Sequence, residues 1–475
     1  MAQRGITANE RSWLASQLEV WRDDGIISPD QATRILDLYE TPAQLAARGH
    51  SLLLATLMGV AALLVAMAAM LAIGYNWQAM PAAVKLAIIF TVLLATHGVG
   101  ASLRFGRGAK LASDAAFFLG CLFFGAAIFL VAQIFHLSGH YPDTVWWWAL
   151  GVTPFALCLD SVLLHALLAS LLALWCGMEV LGFSGTENWL WELWGHVPRG
   201  AYSLPLLVLP GLAWAYRRSS LVAVWLYVIV LAWWAVIQPT AWDFEEFSPF
   251  IVGAAGGILL LAAESHPRGS PLASPYRNLG IVLVAGTLML LGFHEFTHEI
   301  YERHSYRFGE PLQSLPPSAL TPGGAAALMT AVALAAVAVW YLASKMQPDS
   351  AGASTIERML ATARRQWLAL GVIALMLGML GWWIVGGDAL IPTVLANIAM
   401  LVLGFWLLST GLATDSGRMF AAGVVYLLLW AVTRYIDMFG DFGGMLGAAS
   451  VFLLCGLALF GVAWFWRQRK EAQHA

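Results

Sequence analysis

A chain of 475 residues with 60% hydrophobic and 11% charged side chains holds less than half the charge of a soluble domain, which averages about 25%. A net charge of −3 points to no nucleic-acid partner, because the placement of charge matters more than its sum. Cys121, Cys158, Cys176 and Cys455 all lie in apolar stretches. Their spacing suits neither a disulfide framework nor a zinc knuckle, and they read as buried structural thiols.

The chain opens with a polar arm. Trp13, Leu14, Leu18 and Trp21 recur at helical spacing between Ala8 and Asp24, which predicts an amphipathic helix. Gly25 ends it. Ser28 then caps a second helix that has Pro29 at its first position and Ile35, Leu36 and Tyr39 on its apolar face. The first 50 residues contain no apolar core followed by a small-residue cleavage site, so membrane targeting falls to the first span, which is expected to stay uncleaved.

Fourteen apolar segments follow, at about 51–74, 82–103, 113–137, 144–159, 161–181, 203–216, 220–238, 248–264, 278–294, 322–343, 367–386, 389–410, 419–437 and 444–466. At about 20 residues each they use roughly 280 residues, which leaves little for a soluble core. Of the 25 Lys and Arg residues, 20 fall in the N-terminal arm, the even-numbered connections and the C-terminal tail. Lys and Arg mark the cytoplasmic flanks of membrane helices, so both ends are expected in the cytoplasm. Twelve of the 23 tryptophans, among them Trp146–Trp148, Trp233, Trp234, Trp382 and Trp383, fall on the opposite side. In the tenth connection, Ser354 and Glu357 have capping-box spacing ahead of a short basic amphipathic helix. The fold class expected is therefore an all-α polytopic transmembrane bundle of about 14 spans. It divides into a cytoplasmic helical hairpin (1–48), a membrane domain (49–466) and a basic cytoplasmic tail (467–475).

Three stretches resemble a known family. They are Tyr75-Asn76-Trp77 with Pro81 and Lys85; Phe124-Gly125 through Gln133-Ile134-Phe135-His136 and Gly139, followed by Trp146 to Leu150; and Arg434-Tyr435 with Asp437. The chain is similar in these, and in the leading hairpin, to the predicted bacterial membrane proteins of domain-of-unknown-function family 2157. That resemblance implies a bacterial inner-membrane protein and assigns no activity.

Polar groups within spans are costly unless paired or wet, which makes each a functional candidate. The charge pattern puts Asn76, Lys85, Gln133, His136, Arg434 and Asp437 near the outer interface, as a candidate polar cluster. Interfacial structure is the competing explanation: Lys85 can snorkel, and Arg434 can pair with Asp437 at i, i+3. His97, His165 and Asn397 lie deeper and read as hydrogen-bonded contacts between helices. Gly256-Gly257 reads as a close-packing or kink site.

His294-Glu295-Phe296-Thr297-His298 matches the H-E-x-x-H zinc pattern, in which two histidines share a helix face and the glutamate acts as general base. His304 stands at a third-ligand distance, but the position of the usual turning glycine holds Tyr301. The string begins at the outer end of the ninth span and is expected to run into a polar loop. Nucleotide-binding loops and serine-hydrolase elbows are missing from the chain. Three readings result. The leading one is a non-enzymatic scaffold or envelope component without cofactor, embedded in the lipid bilayer, whose hairpin engages a cytoplasmic protein. The second is a secondary transporter of a small or amphipathic solute. The third is a zinc metalloprotease with His294, His298 and His304 as ligands.

Overall fold

The computed structural model describes residues 8–39, 41, parts of 56–71, 80–137, 140–181, 200–242, 248–307 except 268, 322–344, 366–384, 387–414, 416–441, 453 and 456. The described residues are helical with no strand. The helices are α1 (Ala8–Asp23), α2 (Pro29–Asp37), α3 (Ala82–Ala101), α4 (Lys110–Ile134), α5 (Tyr141–Leu159), α6 (Val162–Val180), α7 (Leu204–Arg217) and α8 (Leu221–Ile237). They continue with α9 (Ser248–Glu264), α10 (Ser274–Gly292), α11 (His294–Arg307), α12 (Pro322–Ser344), α13 (Trp367–Ile384), α14 (Leu390–Ala413) and α15 (Gly417–Asp441). The second to the thirteenth predicted spans each fall on one of these helices. The helix predicted around Ser354–Glu357, the tail and, apart from Leu453 and Gly456, the fourteenth span lie outside the described residues.

The chain divides into two compact units: residues 1–138 with 150–167, and residues 139–149 with 168–475. In the first unit, α1 and α2 form the leading hairpin. Gly25 takes φ +71° after α1, and Ile26 N–H reaches back to the Trp21 carbonyl at 2.9 Å, a left-handed helix stop that glycine makes without strain. Ser28 and Gln31 form a reciprocal capping box at the start of α2, which satisfies two otherwise unpaired N–H groups. Arg11 closes the hairpin by donating to the Leu36 and Tyr39 carbonyls, each at 3.5 Å.

Helices α3 and α4 of the same unit pack together through small residues. A Cβ on Gly120 would come within 2.6 Å of the His97 ring, and one on Gly100 within 3.1 Å of Phe117. Between them Ser102–Gly106 forms a π-turn, which carries Arg104 to Asp114 at 3.1 Å and to the Leu159 carbonyl at 2.6 Å. Lys110 and Asp160 add a looser pair at 3.8 Å. These basic side chains therefore bind helix ends together.

The second unit centres on α9, α10, α13 and α14. Lipid is as apolar as the side chains, so close van der Waals packing has to hold such helices together. Gly256 and Gly280 supply it. A Cβ at either would approach the other's carbonyl oxygen, at 3.1 Å and 2.9 Å. A Cβ on Gly257 would lie 2.5 Å from Ile373 Cγ1 and 3.2 Å from the Ala369 carbonyl oxygen, so this glycine pair serves close packing. The α7–α8 turn is fastened by Ser219 at φ +49° and by Tyr216, which hydrogen-bonds His266 at 2.7 Å and Tyr276 at 2.9 Å.

Six of the described segments are long and apolar enough to cross a membrane: Ala82–Gly106, Lys110–Ile134, Val162–Val180, Leu221–Thr240, Pro271–Gly292 and Leu390–Ala413. Their large apolar side chains also turn outward, as at Leu94 (71% exposed) and Val282 (63% exposed). In water such a surface would promote association, whereas hydrocarbon is its natural solvent. Cys121 and Cys176 are buried as expected, but Cys158 is exposed on α5.

Candidate functional site

A polar arrangement in the second unit forms where α10 gives way to α11. Phe293 adopts extended backbone angles (φ −77°, ψ 124°) and interrupts the helix. Its carbonyl accepts from Thr297 N–H at 3.1 Å, while the buried Thr297 hydroxyl donates to the Leu291 carbonyl at 2.8 Å. Thus the H-E-x-x-H string starts a new helix, where the sequence suggests the end of the ninth span running into a polar loop. The two Thr297 hydrogen bonds across the break account for the difference.

Beside this break, Asn397 on α14 donates from Nδ2 to the Gly292 carbonyl at 3.2 Å and to the Thr393 carbonyl at 2.8 Å. Its Oδ1 accepts from Trp430 Nε1 on α15 at 3.0 Å. One amide thereby ties α10, α14 and α15 together, as expected of a polar group holding helices in lipid. Arg434 follows Trp430 by one turn, and its guanidinium carbon lies 5.7 Å from the centroid of the Phe293 ring, within cation–π range. Gly292 leaves room for the group: a Cβ there would sit 3.2 Å from Met400 Sδ and 3.6 Å from Arg434 Nη2.

Helix α11 is two-faced. Thr297, Ile300 and Tyr301 are buried. Tyr301 donates to the Met379 carbonyl at 3.0 Å, and Trp383 donates to the Ile300 carbonyl at 3.2 Å, which pins α11 to α13. Burial, with the Asp388 carboxylate nearby, pushes the Tyr301 phenol above its ordinary range. His294, Glu295, His298 and Glu299 form the exposed face. The His294 and His298 rings lie 5.5 Å apart between centroids. The helix runs on through Tyr301 to Arg307, so the chain does not turn at the position where metal-binding relatives of this pattern place glycine. The His304 side chain lies outside the described residues, among which no group of three or more His, Cys, Asp or Glu could hold a metal.

The remaining predicted residues fall elsewhere. Lys85 is half-buried near the start of α3, and Gln133 and His136 are exposed at the end of α4. His136 takes φ +50°; its N–H donates to the Gln133 carbonyl, and Leu137 N–H donates to the Ala132 carbonyl at 2.9 Å. That is a Schellman helix stop with histidine in the left-handed position, where it is tolerated better than most residues. Gln133 and His136 belong to the first unit and Arg434 to the second. Asn76 and the Asp437 side chain lie outside the described residues. Of the deeper polar groups, His97 bonds within its own helix, to the Leu93 carbonyl at 2.9 Å, and packs against Phe117 and Phe155. His165 is buried and hydrogen-bonds the Ala156 backbone.

Sequence reasoning passes over His140, Asp143 and Glu179. His140 Nδ1 lies 3.2 Å from Asp143 Oδ1, and its Nε2 lies 3.7 Å from Glu179 Oε2. The available signal is Glu179 itself, the sole acidic residue in the apolar stretch Val162–Val180.

Outward-facing apolar helices, close glycine contacts and polar groups spent on helix contacts define a membrane-embedded helical protein. Residues 19–165 match the family model described as Predicted membrane protein (DUF2157). The match covers Lys85, Gln133 and His136; the Arg434 stretch lies beyond it. No curated protein and no solved structure matches the chain.

Proposed function

We propose that the protein is a non-enzymatic component of the bacterial inner membrane, with both ends in the cytoplasm and the leading hairpin engaging a cytoplasmic protein. The observation that carries this reading is the hairpin's exposed apolar surface. Trp13, Val20 and Ile26 are 60%, 50% and 66% exposed on helices too polar to enter a bilayer. Exposed apolar patches of this kind suit a protein partner. The polar groups of the second unit agree with a structural role, since Asn397, Tyr301 and Trp383 are spent on neighbouring backbone carbonyls. Removal of residues 1–45 should leave the protein in the membrane and abolish copurification of its partner. An unchanged set of copurifying proteins would contradict the proposal.

A second reading, secondary transport of a small or amphipathic solute, draws support from Arg434 beside the interrupted α10–α11 helix. Interrupted helices often mark solute sites in transporters. Solute uptake into proteoliposomes that disappears in Arg434→Ala would favour it over the scaffold.

A further inference from the structure

We propose that the leading hairpin takes a basic amphipathic segment of its protein partner, with Trp13 and Val20 meeting apolar side chains and the carboxylates of Glu19 and Asp24 meeting Lys or Arg. This rests on the cytoplasmic, partner-binding hairpin proposed above and adds the chemistry of what it binds. Trp13 and Val20 stand seven residues apart on α1, about two helical turns, and so share a face. Both are exposed, whereas Leu18, on the opposite side of the same helix, is buried. Asp24 extends the stripe: its N–H donates to the Val20 carbonyl at 2.9 Å, which places it one turn beyond Val20. Glu19, next to Val20 in the chain, is exposed on the flank.

Between Ala8 and Tyr39 the hairpin carries six acidic and three basic side chains. Two of the three cations are engaged within it. Arg11 donates to the Leu36 and Tyr39 carbonyls, and Arg22 lies 3.1 Å from Asp23. The apolar stripe therefore sits in an acidic surround, and this decides between occupants. The cytoplasmic leaflet carries anionic headgroups that attract basic segments, so it repels an acidic face. A second copy of the hairpin would set carboxylate against carboxylate. A helix with apolar side chains along one side and Lys or Arg beside them suits the stripe and its surround together. Apolar burial then supplies affinity, while the charges supply steering and register.

Photo-crosslinking of the purified full-length protein in nanodiscs of zwitterionic phosphatidylcholine tests this with two probes, a helix-forming leucine–lysine peptide and its leucine–glutamate counterpart. The photoreactive residue replaces Ser16, which is exposed one turn from both Trp13 and Val20. The leucine–lysine peptide should give about tenfold more adduct than the leucine–glutamate peptide, and its yield should fall as salt rises. Glu19→Lys combined with Asp24→Lys should reverse the preference. Glu19→Gln combined with Asp24→Asn, which adds no charge, should weaken the leucine–lysine adduct without creating the other. No leucine–lysine adduct, equal yields from the two peptides, or a preference that survives the charge reversal would overturn the inference. Because the probes are supplied, these outcomes do not depend on whether the cell holds a partner, which removal of residues 1–45 tests separately.

Discussion

Replacing Asn397 by leucine removes two hydrogen bonds between helices at once, the donation to the Gly292 carbonyl and the acceptance from Trp430 Nε1. The bond to the Thr393 carbonyl lies within α14 and holds no other helix. Interhelical hydrogen bonds in membranes average about 0.6 kcal/mol and reach about 1.7 kcal/mol, so two together give about 1–3 kcal/mol. Leucine fills a similar volume, which keeps a cavity from dominating the loss. Reversible unfolding in mixed micelles, followed by tryptophan fluorescence, would measure the change. A double-mutant cycle with Trp430→Phe isolates the pairwise part and should give a coupling of about 0.5–1 kcal/mol. If Asn397→Leu left stability unchanged and the cycle showed no coupling, Asn397 would not be tying α10 to α14 and α15. The polar break beside Gly292 would then need another explanation.

Other substitutions test other links. Gly256→Ala should destabilise the second unit by about 1–3 kcal/mol in the same assay, because its Cβ meets the Gly280 carbonyl oxygen at 3.1 Å and backbone cannot rotate away. His136→Gly should leave thermal stability unchanged or slightly raised, while His136→Val should lower it by about 1–2 kcal/mol, the cost of a left-handed backbone for such a side chain. Arg104→Leu leaves Asp114 half-buried without its guanidinium and should lower the midpoint of thermal unfolding, with Asp114→Asn in the same chain restoring part of the loss. Glu295→Gln should leave protein turnover in the host membrane unchanged, and zinc analysis of the purified protein should find no stoichiometric metal; a stoichiometric ion would favour the protease reading instead.

Helix placement was largely legible because hydropathy and period act on many residues together. The hairpin was legible in more detail, as Gly25, Ser28 and Pro29 each make a local demand on the backbone that needs no distant partner. Side-chain roles were less so. The sequence places His136 in the candidate polar cluster, and its left-handed backbone, a property of the chain around it, is a feature that only the structure adds. Glu179 gives little signal because one charge among eighteen mostly apolar neighbours barely changes the character of a segment, and His140, which it meets, is 39 positions away. Asn397 makes the contact between helices that a polar group within a span predicts. The identity of that contact depended on Phe293 breaking α10, which no local signal announces. The H-E-x-x-H string showed the opposite problem: a familiar spacing placed both histidines on one helix face, yet that face is the exposed one.

Site-specific photo-crosslinking in intact cells tests the central claim most directly. A photoreactive residue at Trp13, exposed on α1, should capture a defined cytoplasmic protein, and the adduct should disappear when Arg11→Ala removes the hydrogen bonds that close the hairpin. Crosslinks to lipid or to periplasmic proteins, or none from Trp13 or Ile26, would contradict a cytoplasmic hairpin that engages a partner.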